Sequence, residues 1–230
     1  GIYLYDMNSS QVLKLNTNLE DVSITCIKAF NDNEILIATD GVGVYKMNTE
    51  TYECEPYITA DYSSYNAMNG NSIYDLLVDG NRIWMANYPI GITVRNNQYN
   101  SYQWIKHSIG NQQSIINDQV NAIVEDHDGD LWFATNNGIS LYTTKDKQWH
   151  SLLNVFDKSN LTKNHVFISL YEVAPNIIWA GGYSSGIYQI DKKQMKADFF
   201  IPSASEGGSI RPDKYIRSIT KTSDGSIWSG

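Results

Sequence analysis

An all-β fold assembled from repeated four-stranded antiparallel sheets is the prediction of this sequence, and three observations carry it. An apolar pair recurs five times, as Ile35-Leu36, Ile83-Trp84, Leu131-Trp132, Ile178-Trp179 and Ile227-Trp228, with steps of 48, 48, 47 and 49 residues between second members. A glycine keeps the same interval at Gly43, Gly91, Gly138 and Gly186, each followed by an aliphatic residue, and Gly1-Ile2 stands in the same phase. Turn dipeptides lie at a constant place before the apolar pairs, at Asp79-Gly80, Asp128-Gly129 and Asp224-Gly225. A period of this size marks a solenoid, propeller or array.

Each element follows from the aligned units. A first strand is read at 24–29, 73–78, 120–125, 166–171 and 216–221. The Asp-Gly turn after it supplies the positive φ that a tight hairpin requires. The second strand holds the apolar pair, and the third opens at the periodic glycine, as in Gly138-Ile139-Ser140-Leu141-Tyr142. A more polar fourth strand follows, as in Gln148-Trp149-His150-Ser151-Leu152. Four short strands per unit with no helical periodicity predict β-propeller blades of about 48 residues. The repeat occupies one constant position between aliphatic neighbours, so Trp84, Trp132, Trp179 and Trp228 are expected in the packing between blades rather than in a site.

In this register the 230 residues form a single propeller domain or fragment of five repeat units, 1–42, 43–90, 91–137, 138–185 and 186–230. Two arrangements are compatible with that count: strands of the first and last units close a five-bladed ring, or the units belong to a larger ring. An open arc exposes strand edges that closure removes.

Composition narrows the function classes. Hydrophobic residues make up 42% and aromatic residues 12%, enough for a substantial core. The net charge of −8 is spread along the chain with no basic stripe, which argues against nucleic acid as a partner. No run approaches the ~20 apolar residues of a membrane helix, so this segment is not expected to insert directly in a membrane, and no signal peptide is read. Cys26 is placed on a first strand and Cys54 on a fourth, three strand spacings of ~4.8 Å apart, so two free thiols are expected.

The runs Leu131-Trp132-Phe133-Ala134-Thr135-Asn136-Asn137-Gly138-Ile139-Ser140-Leu141-Tyr142 and Ile35 to Tyr45 resemble the two-component regulator propeller repeat. The stretches Asn111 to Asp118 and Ser205 to Ile210 are similar to the linkers that precede its first strands. Leu36 in place of Trp, and the segments Ala86 to Ile90 and Gly181 to Ser185, depart from the pattern. The resemblance implies a seven-bladed parent ring in the periplasmic region of a hybrid two-component system of Bacteroidetes. There a β-sandwich, a membrane helix and a histidine kinase would follow in the parent chain, which places this segment in the periplasm. It also implies detection of oligosaccharides, with signalling through rearrangement or dimerisation of the parent.

No residue set forms a recognisable catalytic or cofactor motif, and neither cofactor nor metal is expected. Asp126-His127-Asp128-Gly129-Asp130 resembles the start of a calcium loop, but no downstream Glu completes it and the same place carries turns in other units. It is read as a hairpin turn. His107, His127, His150 and His165 stand in four different settings without ligand spacing. Asp21, Asp40, Asp75 and Glu125 are the acids that a propeller glycosidase would have to bring together.

Ligand-binding candidates are instead the residues that break the repeat: Asn87 and Tyr88, Tyr183, Asn136, Trp104 and Arg211. Tyr88 and Tyr183 stand where other units carry small polar residues, and an aromatic face beside amides suits a sugar. The expectation is a non-catalytic, extracytoplasmic sensor propeller for an oligosaccharide or similar ligand. Its alternatives are a protein-interaction propeller and a propeller lyase or glycosidase.

Overall fold

The structure, a computed structural model, describes residues 1–152, 165–183, 185–200 and 215–230. Among these, twenty strands are described and no helix. None of the described residues forms a helix long and apolar enough to cross a membrane. The chain divides into two compact units, Gly1–Trp104 and Ile105–Gly230.

In the first unit, β1 (Ile2–Asp6) and β2 (Gln11–Leu15) form a two-stranded sheet. A four-stranded sheet follows in sequential order from β3 (Ile24–Asn31), β4 (Glu34–Thr39), β5 (Val44–Asn48) and β6 (Cys54–Ile58). The next has the same order, with β7 (Ile73–Asp79), β8 (Arg82–Asn87), β9 (Gly91–Asn96) and β10 (Ser101–Ile105). The second unit holds β11 (Val120–Glu125), β12 (Leu131–Thr135), β13 (Gly138–Thr143) and β14 (Gln148–Ser151). It continues with β15 (Phe167–Ala174), β16 (Ile177–Gly182), β17 (Ile187–Asp191) and β18 (Lys196–Phe200), and then the pair β19 (Ile219–Lys221) and β20 (Ile227–Ser229). Every four-stranded sheet is an antiparallel meander, as the spacing of turns and apolar pairs predicts.

One register repeats in all four complete sheets. Leu36 faces Lys46, Trp84 faces Val94, Trp132 faces Leu141 and Trp179 faces Gln189. The periodic glycine fixes it. At Gly43 φ is +87°, and a Cβ there would lie 2.5 Å from the carbonyl oxygen of Ile58. Only glycine allows both that left-handed turn and the close approach of the strand beyond it.

Second strands are apolar on both faces, and all five residues of β12 are buried. In the first unit, Leu36, Ala38, Val44 and Ile58 pack against Met68, Ile73, Leu76, Ile83 and Met85 of the next sheet. In the second, Trp132, Ala134, Ile139 and Leu141 pack against Phe167, Leu170, Ile178 and Tyr188. Trp84 and Trp132 are core residues as expected, and Trp179 is partly buried against Ile187, Ile216 and Ile219. Trp228 departs from the expectation: it is 63% exposed. Its sheet has two strands in this chain, and among the described residues no further sheet covers its outer face.

First strands carry a register shift at one recurring place, between Ile24 and Cys26, Ile73 and Leu76, Val120 and Ala122, and Phe167 and Ser169. A bulge of this kind re-aims the extra side chain. The Thr25 hydroxyl reaches the carbonyl of Ile73, and the Asn121 amide reaches the carbonyl of Phe167 at 2.7 Å. Thr25 and Asn121 thus tie their sheets to the next one within the same unit.

Candidate functional site

The position four residues after the periodic Leu or Trp is occupied by Asp40, Tyr88, Asn136 and Tyr183. Its backbone is held identically in each sheet, by an N–H that donates to the residue preceding that sheet's first strand. The bonds run from Asp40 to Ser23 (2.9 Å), Tyr88 to Ser72 (2.9 Å), Asn136 to Gln119 (3.0 Å) and Tyr183 to Val166 (2.8 Å). A rigid main chain therefore presents a side chain that changes from sheet to sheet, the usual arrangement of a binding position on a scaffold.

In the first unit Tyr88, half-buried, stacks face to face on Tyr74 of the bulged first strand, with ring centroids 4.5 Å apart and planes 1° from parallel. Burial raises the pKa of the Tyr74 phenol, and the Asp40 carboxylate and Tyr88 add to the shift. The Asp40 carboxylate is thus near enough to act electrostatically on Tyr74. Asn87 points elsewhere: it is fully buried, and its Nδ2 donates to Thr93 Oγ1 at 3.2 Å. Its Oδ1 has no hydrogen-bond partner and abuts Gly70, where a Cβ would come within 3.0 Å of it. Asn87 supports the turn from within. Trp104 lies apart, on the outermost strand β10, 38% exposed with its indole N–H on the Ala67 carbonyl at 3.1 Å.

In the second unit Asn136 belongs to a row of amides. Its Oδ1 accepts from Asn121 at 2.8 Å and its Nδ2 donates to Gln119 Oε1 at 3.1 Å. Tyr183 and Tyr215 are both exposed, with ring centroids 4.3 Å apart at 45°. Their hydrogen bond raises the pKa of the Tyr215 phenol, partly offset by Arg217, whose guanidinium is 6.0 Å from the Tyr215 ring. Arg211 lies outside the described residues.

Tyr74, Tyr215, Asn121 and Gln119 were not among the sequence candidates. Tyr74, Asn121 and Gln119 sit at the start of first strands and Tyr215 four residues before β19, and the signal that could have found them is the aromatic or amide residue next to the first apolar residue of each first-strand stretch in the sequence.

A separate polar centre joins two sheets of the second unit. Asp126, Asp128 and Asp130 converge, as the carboxylates of a calcium loop do, but on the ammonium of Lys192, at 2.7, 2.9 and 2.8 Å. The segment is a hairpin turn, as read from the repeat. Asp126 Oδ1 accepts from the N–H groups of Asp128 and Asp130, and Oδ2 from the Trp132 indole at 2.8 Å. His127 Nδ1 lies 2.7 Å from Glu172 of β15. Burial alone would lower the Lys192 pKa; the three carboxylates overcome it and hold it above its ordinary value. Both cysteines are free thiols. Burial and the nearby Asp75 carboxylate push the Cys26 thiol up to about 12.

Residues 114–137 match the family model of the two component regulator propeller. Curated protein sequences show no match. Among solved structures, the chain is similar to the extracellular domain of a B. thetaiotaomicron protein described as a hybrid two component system. The TM-score is 0.72 at 19% identity, over 90% of this chain and 27% of that one. A second B. thetaiotaomicron extracellular domain, described as belonging to a one component system, has a TM-score of 0.72 at 15% identity, over 95% of this chain and 27% of its own. A chain of a mitotic checkpoint complex also matches, with a TM-score of 0.65 at 13% identity over 96% of this chain and 61% of its own, so the fold alone does not assign the function. The chain spans about a quarter of the length of the two bacterial domains. It carries a two component regulator propeller repeat on an all-β repeat fold shared with these two B. thetaiotaomicron extracellular domains.

Proposed function

We propose that this chain is part of an extracytoplasmic, periplasmic sensor propeller, with the repeat units completed into a ring by the rest of a parent hybrid two-component protein. Its ligand is an oligosaccharide, and occupancy controls a downstream histidine kinase. The carrying observation is the conserved backbone anchor beneath the variable residues Asp40, Tyr88, Asn136 and Tyr183. At two of these positions a second tyrosine makes an aromatic pair, within electrostatic reach of a carboxylate in one unit and of an arginine in the other. Aromatic faces beside amides and charged groups match the alternating apolar and hydroxyl faces of a sugar ring. The segment itself performs no chemistry in this reading.

The test is titration of the parent's intact extracytoplasmic region with an oligosaccharide panel, alongside Tyr88→Ala and Tyr183→Ala. Binding that weakens about tenfold or more in either variant supports the reading. Affinity unchanged in both removes the tyrosines from the site. Absence of saccharide binding together with capture of a protein partner turns the assignment to an interaction propeller, and turnover of a saccharide turns it to an enzyme.

A further inference from the structure

The outermost strand of a sheet offers a row of unpaired N–H and C=O groups, a template for pairing with another chain. On β10 and β14 a side-chain amide covers that row. Asn66 Oδ1 accepts from the N–H of Tyr102 at 2.9 Å, and Asn66 Nδ2 donates to the carbonyl of Asn100 at 3.1 Å. Gln113 Oε1 accepts from the N–H of Trp149 at 3.0 Å, and its Nε2 donates to the carbonyl of the same residue at 3.5 Å. Each amide thus does what the backbone of an added strand would do.

The two residues are equivalent in the repeat. Each reaches a strand residue 36 positions ahead. Asn66 stands seven residues before Ile73 and Gln113 seven before Val120, the first residues of their sheets' inner strands. Asn160 holds the same place before Phe167, outside the described residues. In the sheet of β3 to β6 the place belongs to Thr17, whose hydroxyl accepts instead from the N–H of Leu19. Its outer strand β6 contains Pro56, which has no N–H to offer a partner. Among the sheets compared, β6 carries a proline and lacks the amide, whereas β10 and β14 carry no proline and have one.

We infer that Asn66 and Gln113 guard the outer strands β10 and β14 against edge pairing with a second copy of this chain. Both amides are exposed, and an N–H released from one returns to water at little cost. The guard therefore acts on association rather than on folding.

Sedimentation velocity over a concentration series tests this with Asn66→Leu/Gln113→Leu. The variant is expected to self-associate about tenfold more strongly than wild type, with unchanged circular dichroism. Adding Gln103→Lys and Gln148→Lys, which place charge on the two edges, is expected to reverse it. A folded double variant that sediments as wild type overturns the inference, and so does association that the lysines leave intact. If the leucine pair does not fold, Asn66→Ala and Gln113→Ala are read singly by amide exchange. Exchange at Tyr102 and Trp149 faster by about tenfold in the respective variant supports the bracket, and unchanged exchange overturns it.

Discussion

Lys192 places its ammonium 2.7 Å from Asp126, a carboxylate that solvent does not reach, and so links the turn after β17 to the turn after β11. The two residues are 66 positions apart. Removing one partner of a buried ion pair leaves an uncompensated charge, which is far costlier than never having had the pair. Lys192→Met is therefore expected to lower the stability of the second unit by about 3 kcal/mol in urea unfolding. Asp126→Asn added to Lys192→Met should recover part of that loss; a double variant as unstable as the sum of the singles would remove the direct coupling.

The same cluster sets a pH dependence. Burial would raise the Asp126 carboxyl, but hydrogen bonds from Lys192, Trp132 and Asp130 hold it below its ordinary value. Its contribution to stability is present above the unfolded value of about 4 and is lost as pH falls through the depressed folded value. Lys192 is raised, so its contribution is complete below about pH 10 and is lost only as pH rises through the folded value. A stability plateau from about pH 5 to 10 is expected of this cluster. In Lys192→Met the unpaired carboxylates favour protonation, and stability should instead rise between pH 7 and 5, read by urea midpoints.

Gly43→Ala is expected to cost about 3 kcal/mol or more, since it combines a positive φ with a Cβ driven into the Ile58 carbonyl. Gly80→Ala shares the positive φ without the contact and should cost about 1 kcal/mol. Equal thermal shifts for the two would show that the close approach of β6 carries no weight.

Cys26 should resist alkylation. With its pKa pushed up to about 12 and its thiol donating to Asp75 at 3.1 Å, its thiolate is scarce at pH 8. Native Cys26 is expected to react about a hundredfold more slowly than in urea, followed by mass mapping. Asp75→Asn should narrow that gap; no change would assign the protection to burial alone.

The sheets were legible because their determinants are local. A glycine at positive φ, an Asp-Gly hairpin and a run of β-formers act within a few residues, and the interval between them states the repeat. The candidate site was legible in part. Tyr88, Asn136 and Tyr183 announced themselves by breaking the pattern, and the structure brings Tyr88 onto Tyr74 and Asn136 onto Gln119. Asn87 broke the pattern equally but turned inward, because it holds the last place of a second strand, which is buried at Thr39 and Thr135 as well. Trp104 lay on an outer strand, with its indole N–H on the Ala67 carbonyl.

The sequence by itself determined the all-β repeat, the strands and turns, and the positions where side chains vary. Tertiary structure decided what those positions face. Tyr74 became the ring partner of Tyr88, and Tyr215 that of Tyr183, through pairings that bring distant segments together. Trp228 is exposed because, among the described residues, its sheet has two strands and no further sheet covers it, although it holds the same repeat position as the fully buried Trp132. The carboxylates of a calcium-like loop took a lysine from the neighbouring sheet as their partner. Each outcome depends on which strand lies beside which, a long-range matter of packing that residue type and spacing do not encode.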